Sequence, residues 1–314
     1  MTATVTAQDV VRAPTVDAAL RRPPRSLWSD AWRQFKRHHL AMAGLCVLGI
    51  LLIASLLGPL VYRASAYAID YSQELQGPSL AHPFGTDDLG HDLLARALLG
   101  GRVSMAVGVV SVLIAITLGT AVGAIAGFFG GQIDSLLMRL TDLFLALPVL
   151  PLLLLTIYLF RDSLRKVFGP EVGIFLLIVC MIGVLNWMAL ARLVRASFLS
   201  LKEKEFVEAA RCLGAPNKRL MVNHILPNTL SSVIVAATVG VGQAIITESA
   251  LSFLGLGFPP DMPTWGRLLY DAQNFLDLAP YWAFFPGLMI FLTVLSINYI
   301  GDGLRDALDP RKTR

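Results

Sequence analysis

The chain has 314 residues, of which 55% are hydrophobic and only 15% are charged, and its mean hydropathy is +0.64. A soluble domain carries about 25% charged residues and could not bury so much apolar surface. The composition therefore excludes a cytosolic or secreted globular enzyme and a disordered chain, and it favours a membrane protein. The formal net charge of +4 is too small to indicate a nucleic-acid partner.

Residues 1–39 precede the first apolar stretch and predict a polar tail followed by an amphipathic helix. Apolar side chains repeat at helical spacing beside Arg33, Lys36 and Arg37, which is typical of a helix that lies on a membrane surface and contacts lipid. A cytoplasmic extension of the first span is the alternative. The apolar residues are Leu27, Trp28, Ala31, Trp32 and Phe35.

Six uncharged stretches are long enough, or nearly so, to cross about 30 Å of hydrocarbon. We therefore predict an all-α, multi-pass membrane protein with six transmembrane helices. Its first span is expected to remain as an anchor, because no signal peptide precedes it. Gly127, Gly130 and Gly131 indicate a turn after the second span, and Pro227 is expected to open the fifth. The predicted spans are 40–62, 103–133, 143–160, 172–191, 220–247 and 278–301.

The positions of the basic residues predict the orientation, because cytoplasmic loops collect Lys and Arg. Nineteen Lys and Arg residues lie on the side that holds both termini, the turn at 126–142 and the segment 192–227, and seven lie on the other side. Both termini and segment 192–227 are therefore predicted to be cytoplasmic. The expected organisation is a tail and interfacial helix (1–39), a first span (40–62), an outer loop (63–102), a five-helix core (103–301) and a second tail (302–314).

Small residues and prolines predict how the spans pack. Pro148 and Pro151 are expected to kink the third span. A face of small residues recurs every four positions in the second span and lets another helix approach closely, either within this subunit or in a partner subunit. This face comprises Ser111, Ala115, Gly119, Gly123 and Gly127. The three cysteines are widely spaced and are interpreted as packing residues: Cys46, Cys180 and Cys212.

Two polar residues of the fifth span are candidates for the translocation path. Glu248 is expected near the outer surface, as an outer-vestibule contact or as a structural partner for a loop, because it lies about 31 Å along a helix that starts at Pro227. Gln243, about 24 Å along the same helix, is the better candidate for a group that lines a pathway. A buried interhelical hydrogen bond would explain Gln243 equally well.

Segment 192–227 predicts a short helix, a turn and a second helix. Gly214 suits the left-handed C-cap of the first helix, and Pro216 can start the second. Ala209 and Ala210 keep the profile of the first helix low, so that it could dock in a groove of another protein.

Several motifs in this segment resemble the EAA loop of ABC importer permeases. The matching residues are Glu208, Ala209, Ala210, Gly214, Ile225, Leu226 and Pro227, and Glu205 and His224 are assigned to the same coupling loop. In the general pattern an apolar residue stands where this chain has His224. The sequence His-Ile-Leu-Pro-Asn, from His224 to Asn228, resembles the motif of the dipeptide and oligopeptide permease branch. Three further segments, at 82–92, 251–257 and 301–310, are similar to its C-type subunit, and the resemblance covers about 28–311. His91 departs from the family pattern, where arginine is usual.

The resemblance implies a bacterial inner-membrane permease with the type I ABC importer fold. Its partners would be a homologous permease that completes a heterodimer, two cytoplasmic ATPase subunits and an extracytoplasmic binding protein that delivers peptides. ATP and Mg would be used by the ATPases, and no cofactor or metal is expected on this chain. In this family the EAA helix enters a groove of an ATPase, so we expect Glu208 to contact that groove and Gly214 to set the angle of the turn.

Other functions are less consistent with the sequence. The chain has no glycine-rich phosphate loop and is not expected to hydrolyse ATP. A secondary transporter would show internal repeats and midplane ionisable groups, and an exporter would lack the EAA loop. Nickel chelates or other peptide-like solutes remain alternative cargoes. Five outer-loop residues could be interpreted as the metal site of an enzyme, but Asp residues that cap turns in a folded loop explain them better. These residues are His82, Asp87, Asp88, His91 and Asp92.

Overall fold

The computed structural model describes residues 27–308, whose regular structure is helical apart from one isolated bridge between Thr86 and Asp92. The predicted all-α class is confirmed. The helices are α1 (Leu27–Arg37), α2 (His39–Val61), α3 (Leu93–Phe129), α4 (Gly131–Ala146), α5 (Val149–Phe168), α6 (Pro170–Val184), α7 (Trp187–Leu201), α8 (Glu205–Cys212), α9 (Asn217–Phe253), α10 (Trp265–Ala272) and α11 (Pro280–Ala307). The tail at 1–26 and the motif residues Asp309 and Pro310 lie outside the described part.

Five helical stretches are long and apolar enough to cross a membrane, namely α2, α3, the pair α6–α7, α9 and α11. A sixth is present when α4 and α5, which meet at a bend of 84°, are counted as one span. The kink expected at Pro148 is therefore confirmed, and the span predicted at 143–160 has wider bounds, because its two arms run from residue 131 to residue 168. Leu147 has an extended backbone because proline disfavours the helical conformation of the residue before it, and Pro148 itself is also extended. Pro151 lies in the first turn of α5, where its missing N–H is not needed.

The second span begins at Leu93 rather than at residue 103. Its first turns contain Arg96 and Arg102, which the helix can accommodate because both side chains have hydrogen-bond partners. Arg102 donates from Nε to the carbonyl oxygen of Ser55 (2.8 Å) and from Nη2 to that of Leu56 (2.6 Å). The Ser55 carbonyl can accept this bond because Pro59, four residues further on, has no N–H to donate. An arginine in α3 thus compensates for a proline in α2.

The fifth span extends back beyond Pro227 to Asn217. Pro227 lies in the first turn of the α-helical part, Leu226–Phe253, and the six residues before that part, Leu220–Ile225, form a π-helix. Leu226 N–H bonds to the carbonyl oxygen of Met221, which is the wider spacing of a π turn. The fifth span is therefore one helical stretch that starts inside segment 192–227, at Asn217.

Close contact between α3 and α7 organises the interior. A Cβ atom at Gly119 would lie 2.8 Å from the Trp187 carbonyl oxygen, and one at Gly127 would lie 2.7 Å from the Phe198 Cβ. Ser111 of the same face meets Gly183 of α6. The small-residue face therefore packs within this subunit rather than facing away from it.

We predict that Gly123→Ala lowers the stability of the protein, because the added methyl group collides with the backbone carbonyl of Ala191. Overpacking of this kind costs about 1–3 kcal/mol. Gly49→Ala is the matched control, since a Cβ atom at Gly49 meets no atom within 4 Å. Thermal unfolding of the two purified variants in detergent should show a lower midpoint for Gly123→Ala alone. Equal midpoints would mean that α3 and α7 are not in close backbone contact.

Candidate functional site

Helix α8 ends in a tight turn that depends on Gly214. Gly214 has a positive φ of 82°, which L side chains adopt only with strain. Gly214 N–H bonds to the Arg211 carbonyl oxygen (3.0 Å) and Ala215 N–H to that of Ala210 (3.1 Å). These two bonds form a Schellman motif, which satisfies carbonyl groups at the helix end. Pro216 then caps the start of α9 at Asn217.

A single fully buried side chain, Val207, attaches α8 to the membrane-spanning helices. It belongs to a group of buried residues from α3, α7, α8 and α9, which we call the inner cluster. Ala210 and Ala215 pack against this cluster from the two sides of the turn. The members of the inner cluster are Ala124, Leu190, Val194, Phe198, Val207, Leu220, Ile225 and Val233.

The opposite face of α8 is exposed and partly apolar. Phe206 is 43% exposed and Leu213 is 89% exposed, and Glu205, Glu208 and Ala209 are exposed as well. Leu213 is a large apolar residue that no residue between 27 and 308 covers. The helical spacing of Phe206, Ala209, Ala210 and Leu213 in the sequence predicts one apolar stripe, whereas the structure buries Val207 instead. The spacing of Val207 and Ala210, three residues apart, is the signal that could have found the buried side.

The His-Ile-Leu-Pro-Asn motif forms the junction between this loop and the fifth span. Ile225 is fully buried in the inner cluster, whereas His224 is partly buried and Pro227 is exposed. Asn228 Nδ2 donates to the His224 carbonyl oxygen (2.7 Å), and Thr229 Oγ1 donates to that of Ile225 (3.1 Å). These side-chain bonds satisfy backbone carbonyl groups beside the π turn and Pro227.

Two arginines of α7 form ion pairs with α4. Arg195 donates from Nε and Nη2 to the two carboxylate oxygens of Asp134, at 2.5 and 2.6 Å, a bidentate geometry that fixes orientation as well as distance. Arg192 pairs with Asp142 on the same helix. Sequence reasoning counted these arginines as orientation signals and did not predict the pairs, because they join residues that are far apart in the chain.

A cavity of about 440 Å³ lies between α3, α6, α7 and α9. Gln243 is exposed and lines this cavity, together with Ser111 and Asn186. Asn186 Nδ2 donates to the Ile182 carbonyl oxygen (2.7 Å) at the junction of α6 and α7. The remaining lining is mostly apolar, so Gln243 is one of few polar side chains that a solute there would meet.

Glu248 is buried rather than exposed at the outer surface. The prediction of a contact in an outer vestibule is therefore wrong. The Glu248 side chain is fully buried, and its carboxylate accepts hydrogen bonds from Ser104 Oγ of α3 (3.1 Å) and Ser252 Oγ (2.7 Å). Ser104 Oγ also accepts from Trp265 N–H (3.3 Å) at the start of α10. Glu248 therefore joins α9, α3 and the segment before α10, which is the structural role that sequence reasoning kept as its alternative.

The outer loop is held by two buried carboxylates. Asp92 caps α3 by accepting from Ala95 N–H (2.8 Å), and its other oxygen contacts the Tyr62 hydroxyl and His82 Nδ1, both at 2.8 Å. Burial, together with Asp92, raises the pKa of Tyr62. Within residues 27–308, no group of three His, Cys, Asp or Glu side chains is arranged to hold a metal. The carboxylate of Asp92 is used for capping.

The second carboxylate, that of Asp87, lies under the same loop. It accepts from Arg96 Nη1 (2.8 Å) and lies 2.8 Å from His91 Nδ1. His91 therefore occupies a buried ion-pair network that already contains an arginine. Burial and the neighbouring Asp87 raise the pKa of Asp88, whose carboxylate faces a cavity of about 450 Å³ on this outer side.

Two protein families match the sequence. Residues 119–314 match the family described as binding-protein-dependent transport system inner membrane component. Residues 26–78 match the N-terminal transmembrane domain of oligopeptide transport permease C. One match covers the first span, and the other covers the core that contains α8. The motifs discussed above lie inside these matched regions or between them.

Three characterised relatives are similar over nearly the whole chain. A dipeptide transport system permease protein of Alkalihalophilus pseudofirmus is 41% identical over 286 residues, covering 91% of this chain and 90% of its own length. A glutathione transport system permease protein of Pectobacterium atrosepticum is 40% identical, with coverages of 94% and 93%. An oligopeptide transport system permease protein of Haemophilus influenzae is 40% identical, with coverages of 91% and 89%.

A solved structure shares the fold at low sequence identity. The methionine ABC transporter in an inward-facing conformation aligns with a TM-score of 0.52 and 17% identity, covering 67% of this chain and 94% of that chain. This similarity supports the architecture of the core and carries no statement about cargo.

We predict that Val207→Ala loosens α8 while the spans stay folded. Removal of a fully buried side chain costs about 1–3 kcal/mol, and α8 has no other fully buried side chain among its eight residues. Hydrogen exchange of the α8 amides should become about tenfold faster or more. Phe206→Ala is the control, because that side chain is exposed and its loss should leave exchange unchanged. Equal exchange in both variants would contradict the anchoring role of Val207.

Proposed function

The chain belongs to the family of binding-protein-dependent transport system inner membrane components, and we propose that it is the peptide-translocating permease subunit of an ATP-driven importer that is coupled to its ATPases through α8. Membership makes it a multi-pass protein of the bacterial inner membrane and a permease subunit of an ABC importer. The observation that carries the finer proposal is α8 itself, which has one side in the inner cluster and the other side exposed.

Coupling requires that one helix both contacts the ATPase and moves with the spans. The exposed residues Phe206, Glu208, Ala209 and Leu213 supply an apolar docking face with one carboxylate. Ala209 allows close approach, and Glu208 can accept hydrogen bonds from cationic or amide groups of the groove. Because Val207 is buried with residues of α3, α7 and α9, force on α8 reaches those helices directly.

The translocation path would form between this chain and a homologous permease, and Gln243 is its polar candidate on this side. The cavity that Gln243 lines is bordered by α7 and α9, which also hold the inner cluster. A displacement of α8 would therefore change the walls of this cavity. Glu248 supports the outer end of α9 instead of lining the path.

Hydrolysis of ATP would take place on two separate cytoplasmic subunits, with this chain as a non-catalytic partner. The cargo would be dipeptides or longer peptides, delivered by an extracytoplasmic binding protein, as the names of two relatives indicate. Glutathione is the second candidate, because a permease for that tripeptide is equally similar, and nickel chelates remain an alternative. The ligand held by the binding protein that co-purifies with the complex distinguishes these cargoes.

The proposed orientation places α8 and both termini in the cytoplasm, and Cys212 provides a native probe of it. All three cysteines are exposed, so their interpretation as packing residues is wrong. Cys212 lies in α8, and Cys46 and Cys180 lie within spanning helices. A charged maleimide should label Cys212 in inside-out vesicles from which peripheral subunits have been washed, but not in intact spheroplasts. Cys212→Ser should abolish the labelling. Labelling of Cys212 from the outer side would contradict the orientation.

We predict that Gly214→Val uncouples the importer. The variant places a β-branched residue at a positive φ, with a backbone penalty of about 1–2 kcal/mol, and because a Cβ atom there meets no atom within 4 Å, the effect arises from the turn alone. In the reconstituted complex, stimulation of ATP hydrolysis by the ligand-loaded binding protein should fall severalfold, together with transport.

Gly77→Val is the matched control for this experiment, since Gly77 also has open space and no positive φ. It should behave as the unmodified protein does. Thermal unfolding of both variants distinguishes lost coupling from lost folding. Normal stimulation and transport in Gly214→Val would disprove the coupling role of this turn.

A further inference from the structure

The amphipathic helix α1 is separate from the first span. His38 has an extended backbone (φ −87°, ψ 94°) between α1 and α2, and its Nδ1 accepts from Ala41 N–H (3.1 Å), which caps α2. The interruption at His38 favours a separate interfacial helix over an extension of the first span. α1 also makes contacts of its own.

One side of α1 is fixed to the ends of two spans. Phe35 is buried among Ala41 of α2 and Ile300 and Ala307 of α11. Gln34 Nε2 donates to the Asp306 carbonyl oxygen (2.9 Å). These contacts hold α1 in one orientation, so the residues on its remaining surface face in a defined direction.

The remaining surface of α1 carries an excess of positive charge. Arg33, Lys36 and Arg37 are spaced so that they share one helix face, and all three are exposed. None of them forms an ion pair with a carboxylate in the described part of the chain. With Asp30 counted, the sequence of α1 still has an excess of two positive charges.

An interfacial aromatic residue borders this basic face. Trp32 is 50% exposed, stacks on Phe35 with ring centroids 5.7 Å apart, and has Lys36 Nζ at 5.2 Å from its ring centroid. Half-exposed tryptophan is typical of the boundary between hydrocarbon and headgroups. Leu40, at the start of α2, is 53% exposed and begins the apolar surface of that span. The basic face therefore lies where headgroups are expected.

We propose that Arg33, Lys36 and Arg37 form a binding surface for the headgroups of anionic phospholipids, with Trp32 inserted beside them. Attraction to negatively charged lipid adds to the burial of the aromatic ring, and the two together are stronger than either alone. Because Phe35 joins α1 to α2 and α11, bound lipid would fix the ends of those spans relative to the membrane surface.

The test measures lipid retained by the full-length chain. The protein is purified in detergent, equilibrated with equal amounts of phosphatidylglycerol and phosphatidylcholine, and examined by native mass spectrometry. The unmodified chain should retain phosphatidylglycerol preferentially. The triple variant Arg33→Gln, Lys36→Gln, Arg37→Gln should lower that preference by about tenfold or more.

A matched control removes the same charge elsewhere. Arg211→Gln, Lys218→Gln and Arg219→Gln together alter three exposed basic residues near α8, and this variant should keep the preference for phosphatidylglycerol. Thermal unfolding confirms that both triple variants are folded. An equal loss in both variants, or no preference in the unmodified chain, would overturn the proposal. Displacement of the lipid by free glycerol phosphate would overturn it as well, since it would indicate a simple phosphate site.

Discussion

The close approach of α3 to α7 is the contact on which the rest of the structure depends. The row from Gly119 to Gly127 lets the two backbones meet, and at its inner end it brings Phe198 against α3. Phe198 is a member of the inner cluster that receives Val207. The packing of two membrane helices thus creates the site at which α8 is attached. Larger residues in this row would separate the helices and open the cluster.

A second constraint is the low tolerance of a membrane interior for unpaired polar groups. In this chain, individual side chains form hydrogen bonds with the polar groups that would otherwise be unpaired. Arg102 bonds to the Ser55 carbonyl that Pro59 leaves without an N–H partner, and Ser104 and Ser252 donate to the buried Glu248. Because the bonds from Arg102 and Ser104 join different helices, they also fix the relative positions of α2, α3 and α9.

The fold class and the family could be predicted from the sequence, whereas much of the geometry could not. The kink at Pro148 was predicted, but the sequence could not show that the bend reaches 84° or that Arg102 lies inside a helix, since both depend on neighbouring helices. Gly214 was predicted as the turn residue, and its positive φ agrees. Val207, Asp134 and the burial of Glu248 were missed, because each depends on contacts between residues distant in the chain.

The central claim is that α8 moves together with α9 as one rigid unit. Spin labels at Arg211 of α8 and Ile246 of α9, both exposed, would report the distance between them in the full complex by pulsed electron paramagnetic resonance. The claim predicts that this distance changes by less than about 2 Å between the nucleotide-free state and the ATP-bound state. A change of about 5 Å, the length of one helical turn, would show that α8 moves independently of the span and would contradict the account.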